Sequence, residues 1–403
     1  MPILRPILVA SFALSLVACQ PQNTVITPTP AASSSALPVN SLTELQRGFI
    51  NHYAQNVALT YQDALSQAQA LQTAVNTLVE TPSEANLTAA REAWLAARKP
   101  YGQTEGFRFY DGPIDNEDGP EGLLNAWPMD EVYVDYVEGQ PEAGIINRIE
   151  QYPQINAEVL RGLNEADGDK NISTGYHTIE FLLWGQDLTA DAGAGQRPFT
   201  DYSTAANADR RATYLKTVTQ MLIDDLQSMV DAWAPDQAGN YRANFVAMDS
   251  KLALGKILKG IGTLSASELA SERIATPLDI GDREEEHSCF SDNTHNDVLY
   301  NAMSIHNVIA GTYQPSTGDA SNGTSLFDLL KVAKPDLATR LETSSNQTIT
   351  LAEAIQAPFD QEIRPSNADG NQRILSLVRE LKNQGALLVE AAQALDITIN
   401  TDL

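Results

Sequence analysis

Apolar side chains recur every three or four residues along most of this chain, and that spacing predicts α-helices. Within residues 207–233, Leu215, Val218, Leu222 and Met229 follow it closely. No segment shows a sustained alternation of Val, Ile or Thr with polar residues, so the pattern predicts no β-sheet. The sequence therefore indicates an all-α protein.

The individual helices follow from this periodicity and from start and stop signals. Thr81 is the predicted N-cap of the second helix, because Pro82 and Glu84 follow it at the first and third helical positions. Residues 101–120 are rich in Gly, Asp and aromatic side chains and predict a loop. The predicted helices are 44–79, 81–97, 142–149, 157–164, 174–184, 207–233, 249–258, 266–275, 296–310 and 372–395.

A turn-forming stretch divides the predicted helices into two groups. Residues 235–240 read Pro-Asp-Gln-Ala-Gly-Asn, a composition typical of a connection between helical segments. A helix runs into a charged loop at 94–109, and the same order returns at 268–292. The sequence therefore predicts an N-terminal helical half, 41–235, and a C-terminal half, 236–403.

The first forty residues predict an exported lipoprotein. The apolar run 7–18 is shorter than the roughly 20 residues that a membrane span needs, and it fits the core of a signal peptide. Leu-Val-Ala-Cys at 16–19 is typical of a lipobox, which makes 1–18 the signal and Cys19 the acylated residue. Gln20 favours the outer membrane if the cell is Gram-negative. An ordinary cleaved signal with an incidental cysteine is the alternative.

The amino-acid composition restricts the classes of molecule that this protein can bind. Residues 19–40 are rich in Pro, Ser and Ala and uncharged, which predicts an extended tether. The whole chain has 52 acidic and 26 basic residues, a net charge of −26. Such a surface excludes nucleic-acid binding and attracts cations, although solubility alone would also explain it. With Cys19 acylated, Cys289 has no partner and no disulfide framework exists.

The motif at residues 175–185 is the sharpest candidate for chemistry. His177 and Glu180 are three residues apart on a predicted helix, so their side chains share one face. An imidazole and a carboxylate there can ligate a cation together, or the carboxylate can orient the imidazole. Gly175 would allow another element to approach closely, and Trp184 would help to bury the site. These residues alone leave open whether His177 is a ligand or a core histidine.

Two further clusters contain candidate ligands. Residues 279–295 contain Asp282, Glu286 and His287, and carboxylates with imidazole suit iron, manganese, calcium or zinc. The alternative is a solvated acidic loop with Thr294 capping the next helix, and Cys289 is expected to be buried. Residues 94–109 and 125–131 combine aromatic rings with Arg98 and Glu105, typical either of a cleft wall or of ion pairs over aromatic packing.

Taken together and in order, these motifs resemble the imelysin family, and in particular its iron-regulated protein A-like branch. The resemblance rests on Gly175-x-His177-x-x-Glu180, the segments 94–109 and 125–131, and the block 281–295. It covers 45–395, so 41–395 forms one imelysin-like domain. It implies an all-α fold of two related helical-bundle halves around a central cleft. It also implies a cell-envelope location, outer membrane or periplasm in a Gram-negative cell, and a link to iron acquisition.

The functional expectation is a protein that binds iron, or zinc or calcium, as an ion or a complex. Its expected support residues are Gly175, Arg98 and Trp184, and its membrane contact is the lipid anchor alone. Other iron-uptake envelope proteins are possible partners. The family's metallopeptidase label gives an alternative with Glu180 as the catalytic residue, and a scaffold or adhesion lipoprotein is a second alternative. The expected metal ligands are His177, Glu180, Glu105, Asp282, Glu286 and His287.

Overall fold

Helices dominate the structure, a computed structural model that describes residues 39–188, 193–281 and 283–399. The all-α prediction is confirmed. The α-helices are α1 (Val39–Glu80), α2 (Glu84–Gly102), α3 (Glu121–Leu124), α4 (Glu131–Val134), α5 (Gly144–Asn147), α6 (Ala157–Leu163), α7 (Gly175–Trp184), α8 (Ala208–Trp233), α9 (Tyr241–Ala247), α10 (Ser250–Thr263), α11 (Thr276–Ile280), α12 (Thr294–Ala310), α13 (Leu326–Ala333), α14 (Pro335–Glu353), α15 (Phe359–Ile363) and α16 (Ala368–Ala394).

Other helical turns connect these elements. A π-helix, Leu264–Ala275, joins α10 to α11 in one continuous rod. The 3₁₀ turns are Glu105–Phe107, Phe199–Tyr202 and Arg283–Glu285. In a π-helix the backbone hydrogen bonds join residues five apart, so such residues lie on adjacent turns. Arg273 Nε accordingly donates to Glu268 Oε1 at 3.0 Å.

Helix α1 is packed against α2 and α8, and α7 lies between α2 and α8. Trp94 of α2 is fully buried, and its Nε1 donates to the Tyr176 carbonyl of α7 at 2.9 Å. Leu215, Val218 and Leu222 of α8 are buried, as their spacing predicts. These contacts fix the orientation of α7, the helix that carries the histidine motif.

In the second group of helices, α16 packs against the π-helix and α14, and α12 packs against α14. Contacts of α12 with α2, and of α10 and α13 with α1, join this group to the first. The described residues from 39 to 399 consequently form one compact unit. The division near residue 236 into two related halves stays a prediction.

Several predicted boundaries are wrong for local reasons. Ser83, not Thr81, is the N-cap of α2, because its hydroxyl accepts a hydrogen bond from Asn86 N. The predicted helix 142–149 shrinks to α5, where the Arg210 guanidinium binds the carbonyls of Ile145 and Ile146 in place of helical donors. The predicted break at 258 is absent, since α10 continues into the π-helix. Helices α13 and α14 were not predicted.

A small antiparallel ladder corrects the prediction of no sheet. Thr312–Tyr313 (β1) pairs with Ser321–Asn322 (β2), with Thr312 opposite Asn322. Gly311 ends α12 in the left-handed conformation and turns the chain back. Tyr313 then donates its hydroxyl to Asp63 Oδ2 at 2.8 Å. Two residues per strand are too few to give a periodic signal in the sequence.

The predicted signal peptide, Cys19 and most of the tether lie outside the described residues. Val39 and Asn40, assigned to the tether, instead begin α1. Within the part of the chain that the structure describes, no helix combines the length and apolar character of a membrane span.

Candidate functional site

Helix α7 begins at a glycine that its surroundings require. Gly175 has φ +86°, and a Cβ there would lie 2.7 Å from the Leu124 carbonyl oxygen and 2.9 Å from that of Leu123. The end of α3 therefore rests directly on the first turn of α7, which is the close approach that the sequence predicts for Gly175.

Gly175→Ala is expected to destabilise the fold by about 2–4 kcal/mol, because it combines an unfavourable positive φ with a backbone clash. Chemical denaturation measures the change. Gly162→Ala is the matched control, since a Cβ at Gly162 of α6 would meet no atom within 4 Å. Equal effects in the two variants would contradict this account of the α3–α7 contact.

His177 and Glu180 form a closed, fully buried pair on α7. His177 Nδ1 lies 2.9 Å from Glu180 Oε2, and both side chains have no exposed surface. Glu180 Oε1 accepts from Ser291 N at 2.9 Å and from Ser291 Oγ at 2.7 Å. His177 Nε2 has no hydrogen-bond partner among the described residues. The carboxylate therefore ties α7 to the 286–293 loop.

Burial controls the protonation of this pair. It raises the pKa of Glu180 to about 8, despite the two hydrogen bonds from Ser291 that lower it. Burial also lowers the pKa of His177, and the neighbouring His287 and Arg98 lower that pKa further. Near pH 7 both groups are thus held neutral, as a protonated carboxyl beside a neutral imidazole.

Because the pKa of Glu180 is raised, this residue should make the free energy of unfolding depend on pH in a defined direction. The native state keeps this proton above pH 4.3, where the unfolded state releases it, so the contribution to stability falls as pH rises from about 4.3 to 8. Relative to Glu180→Gln, the wild type should lose at most about 1.4 kcal/mol of unfolding free energy per pH unit in that window. Urea unfolding at several pH values measures the difference. A difference independent of pH would refute the assignment.

His287 lies beside His177, at the join between the buried pair and the solvent. The two ring centroids are 4.7 Å apart, and the Trp127 ring lies 4.9 Å from His177. His287 Nδ1 faces the Asp297 carboxylate, with Oδ2 3.4 Å away. Burial lowers the pKa of His287, and nearby Arg273 adds to this. The imidazole is therefore neutral at physiological pH.

Asp297 is the charged anchor beneath His287. It accepts from Arg98 Nη2 at 3.0 Å and from the Ser288 hydroxyl. Burial opposes its ionisation, yet Arg98 and His287 hold the pKa of Asp297 well below its usual range. Arg98 Nη1 also donates to Asn125 Oδ1 at 2.6 Å. Asp297 and Arg98 together fix α12, α2 and the 125–128 segment around the histidines.

Glu105 belongs to a second buried ion network. Its Oε2 lies 2.9 Å from Arg273 Nη2 and 3.0 Å from Arg108 Nη1. Burial opposes ionisation, but these two arginines lower the pKa of Glu105 to about 2. Arg108 also pairs with Glu121 at 2.9 Å, and Arg273 with Glu268 at 2.9 Å. Both guanidiniums are consequently neutralised by neighbouring carboxylates.

An open cleft of about 380 Å³ lies above these networks. Asn125, Trp127 and His287 form part of its wall. Two arginines and six carboxylates also line it, so its charge is strongly negative. These are Arg108, Arg273, Glu121, Glu165, Asp169, Glu268, Glu272 and Glu285.

The predicted site residues are only partly brought together. His177 and Glu180 lie behind the cleft wall, and of the expected ligands that the structure describes only His287 lines the cleft. Glu105 is in its ion network, and Glu286 is buried with Oε2 unpartnered among the described residues. Burial raises the pKa of Glu286, as do nearby Asp360 and Asp292.

The remaining predicted residues have varied positions. Asp282 lies outside the described residues. Trp184 is at the far end of α7, with its ring centroid 5.3 Å from that of Trp94, and lines a different surface pocket. Cys289 is buried, and burial raises the pKa of its thiol. In residues 39–188, 193–281 and 283–399, no three His, Cys, Asp or Glu side chains converge as a metal centre requires.

Sequence reasoning missed Asp297 and Arg273. Asp297 resembles an ordinary acidic residue in a first helical turn, and Arg273 a solvated helix residue. Their function depends on partners at positions 98 and 105, far away in the chain. The sequence contained one indication of Asp297 and Arg273. Arg98 and Glu105 are charged residues in an aromatic-rich segment, and the sequence did not explain their charges.

The fold and the site define an all-helical protein with a buried His–Glu pair behind an acidic cleft. The chain belongs to the imelysin family: the family model described as Imelysin, Peptidase M75, matches residues 57–388.

Similar proteins agree with this assignment. Iron-regulated protein A of Synechococcus elongatus is 30% identical over 305 residues, 73% of this chain and 71% of that protein. The crystal structure of a putative iron-regulated protein A precursor from Parabacteroides distasonis has a TM-score of 0.69 at 22% identity, covering 90% of this chain and 98% of that one. An imelysin-like protein from Psychrobacter arcticum has a TM-score of 0.60 at 15% identity, covering 89% and 97%.

Proposed function

We propose that this protein captures a cationic metal species, iron foremost, in the acidic cleft and serves iron acquisition in the cell envelope. The observation that carries the proposal is the charge of the cleft: six carboxylates and two arginines line it, and both arginines are already paired. Low-dielectric walls lined by one sign of charge concentrate the opposite ion. The name of the cyanobacterial relative supports iron as the metal.

The geometry gives less support to peptide hydrolysis. A metallohydrolase needs a metal with an open position and a base within reach of the attacking water. Glu180, the expected base, is fully buried, and its two oxygens are engaged by His177 and Ser291. A water in the cleft cannot reach it without displacing the wall formed by Trp127 and His287.

Envelope attachment is the other part of the proposal. Acylation of Cys19 would hold the helical body at a membrane through the lipid alone, beside other iron-uptake proteins. The Cys19→Ala variant should move from the membrane fraction to the soluble fraction of the cells. Unchanged fractionation would contradict attachment through that cysteine.

A direct test compares binding with cleavage. The purified protein is dialysed anaerobically against ferrous iron, zinc or calcium, and bound metal is quantified while casein cleavage is followed with and without a chelator. We expect about one retained cation per chain, with iron preferred, and no cleavage. Chelator-sensitive cleavage that Glu180→Gln abolishes would instead establish a peptidase, and absence of any bound cation would refute the binding proposal.

A further inference from the structure

Two buried polar atoms at the cleft wall have no hydrogen-bond partner among the described residues. They are Nε2 of His177 and Nε1 of Trp127. The two rings are in contact, with their centroids 4.9 Å apart. Native proteins pair nearly all of their buried polar groups, and an unpaired group usually has a functional reason. The contact between these rings therefore closes the wall at a cost in hydrogen bonding.

Ring contacts hold the Trp127 side chain in the wall, without a hydrogen bond from its indole. Besides His177, the indole meets the Phe290 ring, with centroids 5.8 Å apart at an interplanar angle of 75°. Aromatic contacts of this kind stabilise weakly, whereas an unpaired buried donor or acceptor costs at least as much. The closed position of the indole is consequently favoured over an open one by a small margin.

The backbone on both sides of Trp127 is anchored, while its side chain borders open space. Asn125 is buried and accepts a hydrogen bond from Arg98 Nη1 at 2.6 Å, and Met129 is buried as well. Residues 126–128 between them are only partly buried. The indole lines the cleft of about 380 Å³. Rotation of the Trp127 side chain into that space thus requires no movement of the two anchors.

The second ring on His177 belongs to a fixed part of the wall. The His287 ring centroid lies 4.7 Å from that of His177, and His287 Nδ1 faces the Asp297 carboxylate. The loop that follows His287 is tied to Glu180 by two hydrogen bonds from Ser291. Opening the wall on this side would disturb all of these contacts, so the indole is the side that moves.

We infer that Trp127 is a gate between the acidic cleft and the buried His177–Glu180 pair. In the closed position its indole covers the His177 ring. When the indole turns into the cleft, His177 Nε2 becomes accessible from the cleft, and the contact between His177 Nδ1 and Glu180 Oε2 keeps the imidazole in place. The gate goes beyond the proposed function, because it controls access to the pair for any molecule that enters the cleft.

Modification by diethyl pyrocarbonate measures the gate, since this reagent acylates an accessible, unprotonated imidazole nitrogen. In the full-length protein at pH 7, mass spectrometry should show slow acylation of His177. About 1 M urea should change that rate less than about twofold, because a local opening exposes little new surface. Trp127→Ala should raise the rate about tenfold, whereas Trp127→Phe, which keeps a ring over the imidazole, should stay within about threefold of the wild type.

Trp184→Ala is the matched control, because it removes the same side chain at the far end of α7, and it should change the His177 rate less than about twofold. His306, a partly buried histidine of α12, is the internal reference for general loosening of the fold. Equal acceleration by the two alanine variants, or wild-type acylation that appears only as urea unfolds the chain, would overturn the gate. The assay contains no metal, so that outcome leaves cation capture untouched, and a failure of the dialysis experiment leaves the gate untouched.

Discussion

Replacing Arg98 with methionine is expected to lower the free energy of unfolding by about 3–5 kcal/mol. Arg98 is 1% exposed, and it is the cation that compensates Asp297, itself 2% exposed. Without it, a charge remains buried beside a neutral His287, and Asn125 loses its donor. Urea denaturation at pH 7 measures the loss.

The control for this variant is Arg379→Met, on the exposed surface of α16, where we expect a change below about 0.5 kcal/mol. Combining Arg98→Met with Asp297→Asn should restore part of the stability, because the buried charge is removed together with its partner. No restoration in the double variant would mean that Arg98 acts through packing on Trp94 and Tyr176 and not through its charge.

Glu105→Gln is expected to cost about 3 kcal/mol at pH 7. The pKa of Glu105 is lowered to about 2 because Arg273 and Arg108 compensate its burial. A lowered folded pKa stabilises the protein above the unfolded pKa of about 4.3, and this stabilisation is lost as pH falls from there to 2. The deficit of the variant should therefore shrink over the same range.

Denaturation of the wild type and Glu105→Gln at pH 7, 5 and 3 measures the size of the stability deficit and the direction in which it changes with pH. Glu342→Gln, an exposed glutamate on α14, is the matched control and should show almost no difference at any of these values. A deficit that stays constant down to pH 3 would contradict ionic compensation by the two arginines.

The helices could be predicted because their signals are local. The spacing of Leu215, Val218, Leu222 and Met229 predicts the buried face of α8, and Asp249 is the N-cap of α10 as predicted. The π-helix could not be predicted, because its geometry depends on α16, where Gly385 comes so close that a Cβ would lie 2.6 Å from Ala266 Cβ. Helix α5 is short because Arg210, which is distant in sequence, donates hydrogen bonds to the carbonyls of Ile145 and Ile146.

The sequence predicted which residues belong to the site better than it predicted how they are arranged in space. Sequence spacing placed His177 and Glu180 on one helical face, and the structure shows them in direct contact. Which way that face points depends on Ser291 and Trp127, which lie far away in sequence. The metal-ligand roles of these residues remain predictions, and the acidic cleft adjoins the pair without including it.

This arrangement gives His177 and Glu180 a structural role in the proposed mechanism. Glu180 fixes the loop that follows His287 by accepting two hydrogen bonds from Ser291, and His177 packs against the His287 ring. The pair thus positions the cleft wall from behind.

The most direct measurement is the anomalous diffraction of iron in crystals soaked anaerobically with ferrous iron. Our account predicts one strong peak inside the acidic cleft whose wall includes Asn125, Trp127 and His287. A peak only on other acidic surfaces, with none in the cleft at full soaking concentration, would contradict it.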